Sequence, residues 1–274
     1  MTGRTGQAPY PAPNRTLKPK KPMSLPPTAK AQPKNGFLDV VKTLVYAALI
    51  AMGIRTLAFE PFNIPSASMV PTLLIGDYLF VSKFSYGYSF ASLPSYVTTR
   101  FPGRALSREP QRGDVVVFKL PKDGKTDYIK RLVGLPGDRI QVTRGILHIN
   151  GEAAPVERIE DFVETEGGFS RRVAQYVETL PGGRQHRVLK MHVDGYYNNT
   201  PEFTVPPGHY FAMGDHRDNS QDSRDPNAVG FVPFENLVGR AEILFFSTDG
   251  SANLLLPWTW FTAARYSRLL NPIR

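Results

Sequence analysis

The run from Tyr128 to Ile149 decides the fold class: Tyr128-Ile129-Lys130-Arg131-Leu132-Val133-Gly134-Leu135, then Pro136-Gly137-Asp138, Arg139-Ile140-Gln141-Val142, Arg144-Gly145 and Ile146-Leu147-His148-Ile149. Three short stretches rich in β-branched and apolar residues are cut by Gly137-Asp138 and Arg144-Gly145, which are turn signals. They read as three consecutive strands. Upstream, Val115-Val116-Val117-Phe118 reads as another strand. Downstream, His209 to Met213 and Ala241 to Ser247 have the same character. Helical periodicity is scarce beyond residue 60. The fold class is mostly β, built as small antiparallel sheets or a partly open barrel. Residues 151–205 differ. They carry an acidic run (Glu157, Glu160, Asp161, Glu164, Glu166), Gly-rich turns and a few strand-like pieces, and read as a solvated insertion.

The N-terminal part is of another kind. Phe37 to Phe59 contains the apolar run Thr43 to Ile54, flanked by Lys42 and Arg55. As a helix, its 23 residues extend roughly 34 Å, against about 30 Å for a bilayer core, and the flanking cations can snorkel to the interfaces. The expected organisation is a basic, Pro-rich tail over 1–35, a transmembrane helix over 36–59, and one domain over 60–274. The tail has seven Lys or Arg, no Asp or Glu, and eight prolines. Such a segment cannot bury apolar surface and is expected to be disordered. Its positive charge places the N-terminus in the cytoplasm and everything after Glu60 across the membrane. Near the C-terminus Leu254 to Leu256, Trp258, Trp260 and Phe261 form an apolar, aromatic stretch, suited either to a membrane interface or to a core.

The net charge of +9 comes almost entirely from the tail. The remainder has 33 − 7 = 26 basic residues against 24 acidic ones, with no basic stripe interleaved with aromatics, so nucleic acid is not an expected partner. There is no cysteine, which excludes thiolate zinc sites, disulfides and a cysteine nucleophile. The five histidines (His148, His186, His192, His209, His216) lack ligand-like pairing, and none sits in a Gly-x-Ser-x-Gly elbow. Neither a metal site nor a histidine triad is expected.

Three islands can carry chemistry. The first is Ile64-Pro65-Ser66-Ala67-Ser68-Met69-Val70-Pro71-Thr72-Leu73, with two serines two residues apart. The second is Asp127 to Arg131, a lysine within a strand. The third is Gly214-Asp215-His216-Arg217-Asp218-Asn219-Ser220-Gln221-Asp222-Ser223-Arg224. A serine hydroxyl needs a base to become nucleophilic. Lysine, ordinarily near 10.4, is a base at neutral pH only when an apolar surrounding disfavours its ammonium form. Tyr128, Ile129, Leu132 and Val133 beside Lys130 provide one. With an extended backbone, Ser66 and Ser68 point the same way.

From about Phe37 to the C-terminus the chain resembles bacterial type I signal peptidases, and the three islands carry the resemblance. It implies a membrane-bound serine endopeptidase that removes signal peptides from exported preproteins and needs no cofactor. Ser68 would be the nucleophile and Lys130 the general base. The Ser66 hydroxyl and the Ser68 backbone N–H would form the oxyanion hole. Ser220 would orient the lysine amine, and Asp222 and Arg224 would support the site as an ion pair. Phe62, Ile64, Pro65, Leu73, Tyr128 and Ile129 would line two shallow pockets that read small residues of an extended peptide. Gly214 and Asp215 read as a turn and His216 as an exposed loop residue. The family has a variable β subdomain between its second and third motifs, where residues 151–205 fall. The implied setting is the bacterial cytoplasmic membrane, crossed once, with the catalytic domain on the periplasmic side. Preprotein signal peptides, membrane lipid and the secretion translocon are the implied partners. Three alternatives stand beside this reading from sequence: a self-cleaving Ser/Lys repressor-type protease, against which the membrane span and the lack of a DNA-binding helix pair argue; a maturation peptidase of a conjugation or pilus system; and an anchored binding module without activity.

Overall fold

A computed structural model of the chain describes residues 2–3, 6, 36–93, 102–166, 169–192, 195–252, 256 and 258–274. The expected disordered tail over 1–35 therefore lies almost wholly outside the described residues, as do Leu254 and Leu255. The chain divides into two compact units, residues 1–44 and 45–274.

Helix α1 (Gly36–Leu57) is 22 residues long and buries none of them. It is the single described helix long and apolar enough to cross a membrane. It ends two residues before the expected boundary because Phe59 already belongs to a strand. That strand, β1 (Phe59–Asn63), pairs with β2 (Asp77–Ser82). Sequence did not reveal β1, because Glu60-Pro61 interrupts any strand pattern. Proline is tolerated there since β1 is an edge strand whose outer side makes no ladder bonds.

The main sheet has seven strands, all paired antiparallel, in the order β1, β2, β15 (Leu237–Ser247), β3 (Val115–Lys119), β4 (Asp127–Gly134), β13 (His209–Met213), β14 (Val232–Pro233). It does not close into a barrel, so the open-sheet form of the expectation holds. The sheet is mixed in burial: β3 reads buried over Val115 to Phe118, and β4 over Lys130 to Gly134. Its register sets Val116 opposite Lys130 and Val117 opposite Ile129. One core cluster (Ile64, Met69, Leu73, Leu79, Val81, Val117, Ala241, Leu244) packs the first island onto the sheet.

A second sheet, of β12 (Phe203–Thr204), β5 (Arg139–Thr143), β6 (Ile146–Ile149) and β7 (Glu152–Ala153), continues from the Gly137-Asp138 turn. The stretch read as a solvated insertion holds a third sheet: β8 (Val156–Arg158), β9 (Phe162–Glu166), β10 (Phe169–Thr179) and β11 (Gln185–Lys190). It is not merely solvated. Val173 and Leu189 are buried against Val70, with Ala67 and Leu74 packed alongside. Leu189 also pairs with His216, its N–H donating to Asp215 O (2.9 Å) while Arg217 N–H donates to Leu189 O (3.0 Å). The insertion thus packs against both the first and the third island.

Trp258, Trp260 and Phe261 around α2 (Thr259–Ala263) are 66%, 47% and 73% exposed, which rules out the core-packing reading of that stretch.

Candidate active site

Ser68 lies in a one-turn 3₁₀ helix, Ala67–Met69, capped by an extended Ser66. The extended backbone expected between Ser66 and Ser68 is thus replaced by a turn. The two hydroxyls still come within 3.4 Å of each other. The turn also leaves the Ser68 N–H in the first positions of a helix, where amides have no intrahelical acceptor. The Ser68 carbonyl is held from behind by the His216 N–H, at 3.1 Å.

Lys130 reaches Ser68 from β4. Its Nζ is 2.7 Å from Ser68 Oγ and donates to Ile129 O at 2.9 Å. The Tyr128 ring lies beneath the amine, 5.3 Å from ring centre to Nζ. Lys130 is 3% exposed and Ser68 8%. Burial pushes the amine down from 10.5 to about 8; Asp222 and Asp215 pull it partly back up, and Arg224 adds to the fall.

Successive strand residues project to opposite faces, and the next one, Arg131, is fully buried. Its Nε and Nη2 donate to Asp215 Oδ1 and Oδ2 at 2.8 and 2.7 Å, and Nη1 donates to Gly113 O at 2.8 Å. Thr72 Oγ1 donates to Asp215 Oδ2 at 2.5 Å. One residue from each island therefore meets in a buried knot, and Arg131 holds the Asp215 carboxyl below the usual range against the opposing effect of burial. Asp215 is a structural ion-pair partner rather than only a turn residue. The sequence signal for this was Arg131 itself: a buried charge without a partner is too costly to keep.

In the third island, Arg224 donates through Nε and Nη2 to Asp222 at 2.8 Å each. Asp222 Oδ2 accepts in addition from Ser220 Oγ (2.8 Å) and from the Gly214 N–H (2.9 Å). The Ser220 hydroxyl is thus engaged with Asp222; no bond to the Lys130 amine is found among the described residues. Gly214 allows the close approach of this strand end to the first island. A Cβ there would lie 2.2 Å from Ser220 Oγ and 2.5 Å from Ser68 O. His216 is not an exposed loop residue. It is fully buried, both its ring nitrogens are without partners among the described residues, and burial lowers its pKa, favouring the neutral ring.

Beyond sequence reasoning lies the charge cluster that joins the insertion to the island. Arg217 donates through Nη1 to Glu178 Oε1 at 2.7 Å and pairs through Nη2 with Glu178 Oε2. His186 stands 3.5 Å from Glu178 and 3.9 Å from Asp215. It is buried and pushed down to about 4, chiefly by desolvation, so it stays neutral. In β11 the alternation of Gln185 and Arg187 with buried His186 and Val188 was the available signal; β10, with Arg171, Arg172 and Glu178, offers no such pattern.

A cavity of about 790 Å³ opens over the Ser68–Lys130 pair. Phe62, Ile64, Pro65, Tyr128 and Ile129 line it, together with Ser66 and Ser220. Leu73 does not. It is fully buried in the core cluster below, because the turn at Ala67–Met69 carries the chain downward, and its N–H closes on Met69 O at 2.9 Å.

The family model described as "Signal peptidase, peptidase S26" matches residues 37–246. The chain belongs to that family. It is a serine peptidase, a hydrolase, which removes the inactive binding module from consideration. Signal peptidase I of Rickettsia canadensis (strain McKiel) is 41% identical over 246 residues, covering 84% of this chain and 91% of that one. Signal peptidase I of Rickettsia typhi (strain ATCC VR-144 / Wilmington) is 40% identical over 245 residues, with 84% and 91% covered. A solved signal peptidase I from Enterococcus faecalis V583 shares 25% identity over 48% of this chain and 97% of that chain, at a TM-score of 0.29. A likeness that weak says nothing about the fold of the peptidase.

Proposed function

We propose that the peptidase cleaves signal peptides from exported preproteins with Ser68 as nucleophile and Lys130 as general base. The observation that carries this reading is the 2.7 Å contact between Lys130 Nζ and Ser68 Oγ, both residues being buried. A neutral amine has two protons and one lone pair. One N–H is given to Ile129 O, which leaves the lone pair free to accept the Ser68 proton. As Ser68 Oγ bonds to the substrate carbonyl carbon, the oxygen takes up negative charge. The Ser68 N–H and the Ser66 hydroxyl, the latter 3.4 Å from Ser68 Oγ, would donate to that carbonyl oxygen. The carbon–nitrogen bond then breaks, and the ammonium of Lys130 returns its proton to the leaving amine. Water, deprotonated by the same amine, releases the acyl group. Asp222 and Arg224 support the site through Ser220 and Gly214.

An extended peptide fits beside Phe62, Ile64 and Pro65 on one wall and Tyr128 and Ile129 on the other, as in strand addition to a sheet edge. Helix α1 would anchor the enzyme in the cytoplasmic membrane, with residues 60–274 as the catalytic domain on the far side and lipid and the secretion translocon as neighbours. The motifs suit a maturation peptidase of a pilus system equally, and no observation favours it. Ser68→Ala and Lys130→Ala, assayed on a preprotein in detergent, test the pair. Cleavage should vanish in both, and cleavage retained in either eliminates this mechanism.

A further inference from the structure

Two chain segments run along the cavity and end together. One goes from Phe62 to Ser68 and the other from Asp127 to Lys130, and the Ser68–Lys130 contact joins their inner ends. A peptide laid between them brings its reacting carbonyl to that pair and its preceding residues alongside the two segments. The cavity extends further. It is also walled by Asp218 to Gln221 and by Tyr197, the one wall residue that the insertion contributes among the described residues.

Tyr197 is held from two sides. The Arg224 guanidinium lies over its ring, 5.0 Å from the centre, and its hydroxyl donates to Asp225 Oδ2 at 3.0 Å. Arg224 is itself buried and bonded to Asp222. A ring clamped by a buried partner cannot swing aside to admit a large group. Charge adds a second constraint. The ionisable wall residues other than tyrosine are Asp127, Asp218 and Lys130, and Lys130 reacts uncharged. Asp127 is neutralised by Lys119 at 2.8 Å. Asp218 accepts the backbone N–H groups of Met191 and His192 at 2.5 and 3.0 Å, and among the described residues no ion pair neutralises it.

We propose that Tyr197 and Asp218 form a subsite for the first residues of the released mature protein, admitting small and basic side chains and disfavouring bulky and acidic ones. The proposal rests on the Ser68–Lys130 reading. It makes part of the insertion a specificity element.

The test is a series of preproteins differing only in the first or second residue after the cleaved bond (Ala, Phe, Lys, Asp), cleaved by the full chain in detergent. Rates are compared as ratios of kcat/KM within one enzyme, so any loss of folded protein cancels. The wild type should prefer Ala over Phe and Lys over Asp about tenfold at one of these positions. Tyr197→Ala should bring the Ala/Phe ratio near one, Tyr197→Trp should raise it, and Tyr197→Phe should keep it. Asp218→Asn should remove the Lys/Asp preference. Selectivity before the cleaved bond should not move in any variant. Flat ratios in the wild type, ratios that do not respond to Tyr197→Ala or Tyr197→Trp, or equal changes on both sides of the bond would overturn the proposal. Ser68→Ala separates the two readings. If that variant still cleaves, the dyad reading fails; if it is dead while the ratios stay flat, only the subsite fails.

Discussion

At the scale of single residues, the proposed mechanism makes the amine of Lys130 set both activity and stability. Only the neutral form can take a proton from Ser68, so kcat/KM on a preprotein should rise about tenfold per pH unit up to about 8 and level off above it. A plateau already reached at pH 6 would contradict a buried lysine base. The same burial has a cost with a definite sign. Below about 8 both the folded and the unfolded chain carry the ammonium, and the folded one bears the full desolvation penalty. Between about 8 and 10.5 the unfolded chain holds more protons, so stability rises with pH; above 10.5 the penalty is gone. A fall from 10.5 to about 8 corresponds to roughly 3 kcal/mol. Lys130→Met should therefore be inactive yet more stable than the parent in urea at pH 6, with the difference closing toward pH 10. Equal stability at both pH values would argue against the penalty. Gly214 gives a second test. Gly214→Ala forces a methyl against Ser220 and the Ser68 carbonyl, an overpacking that typically costs about 1–3 kcal/mol. Activity should fall much further than the melting temperature, since the displaced atoms belong to the site.

At the scale of elements, β10 and β11 are tied to the third island through Leu189 and through the Arg217–Glu178 pair. Arg217 and Glu178 are both buried, and their charges satisfy one another. Removing one partner strands the other, which typically costs about 3–5 kcal/mol, whereas an apolar replacement of both is far milder. Glu178→Gln should lower the urea midpoint clearly, and Glu178→Leu with Arg217→Met should recover most of the loss. If the single and double variants unfold together, the pair is not a link between insertion and island. These elements also mark the limit of what could be read from sequence. The strands at Val115, Tyr128, Arg139, Ile146, His209 and Ala241 announced themselves because β-branched runs between turn residues have few other solutions. The edge strand β1 was hidden by Glu60-Pro61, and β10 by its many charges. Local pattern plus resemblance singled out Ser68 and Lys130, and their side chains lie 2.7 Å apart. The Arg131–Asp215 and Arg217–Glu178 pairs were not, because ion pairs across 84 and 39 residues leave no local trace. Leu73 was misread for a related reason: a motif says which residues recur near a site, not which way a 3₁₀ turn aims them.

At the scale of the whole molecule, two features bear on the membrane, and they predict different kinds of attachment. Helix α1 is 22 residues long, buries none of them and is apolar enough to cross a membrane, at roughly 33 Å for ordinary helical rise. Inserted across a bilayer, such a helix is effectively permanent. The exposed Trp258, Trp260 and Phe261 form only a small amphipathic patch, and contacts of that kind are weak and reversible. The full chain should therefore remain in the membrane pellet after alkaline carbonate extraction. A chain beginning at Ala58 should be released by carbonate but still co-sediment with lipid vesicles at neutral pH. Changing Trp258, Trp260 and Phe261 to Ala in that shortened chain should lower the vesicle-bound fraction several-fold. In the full chain the same three changes should leave carbonate resistance intact, because the helix suffices alone. If the shortened chain stays in the carbonate pellet, α1 is not the anchor; if its vesicle binding ignores the three changes, the aromatic patch faces something other than lipid.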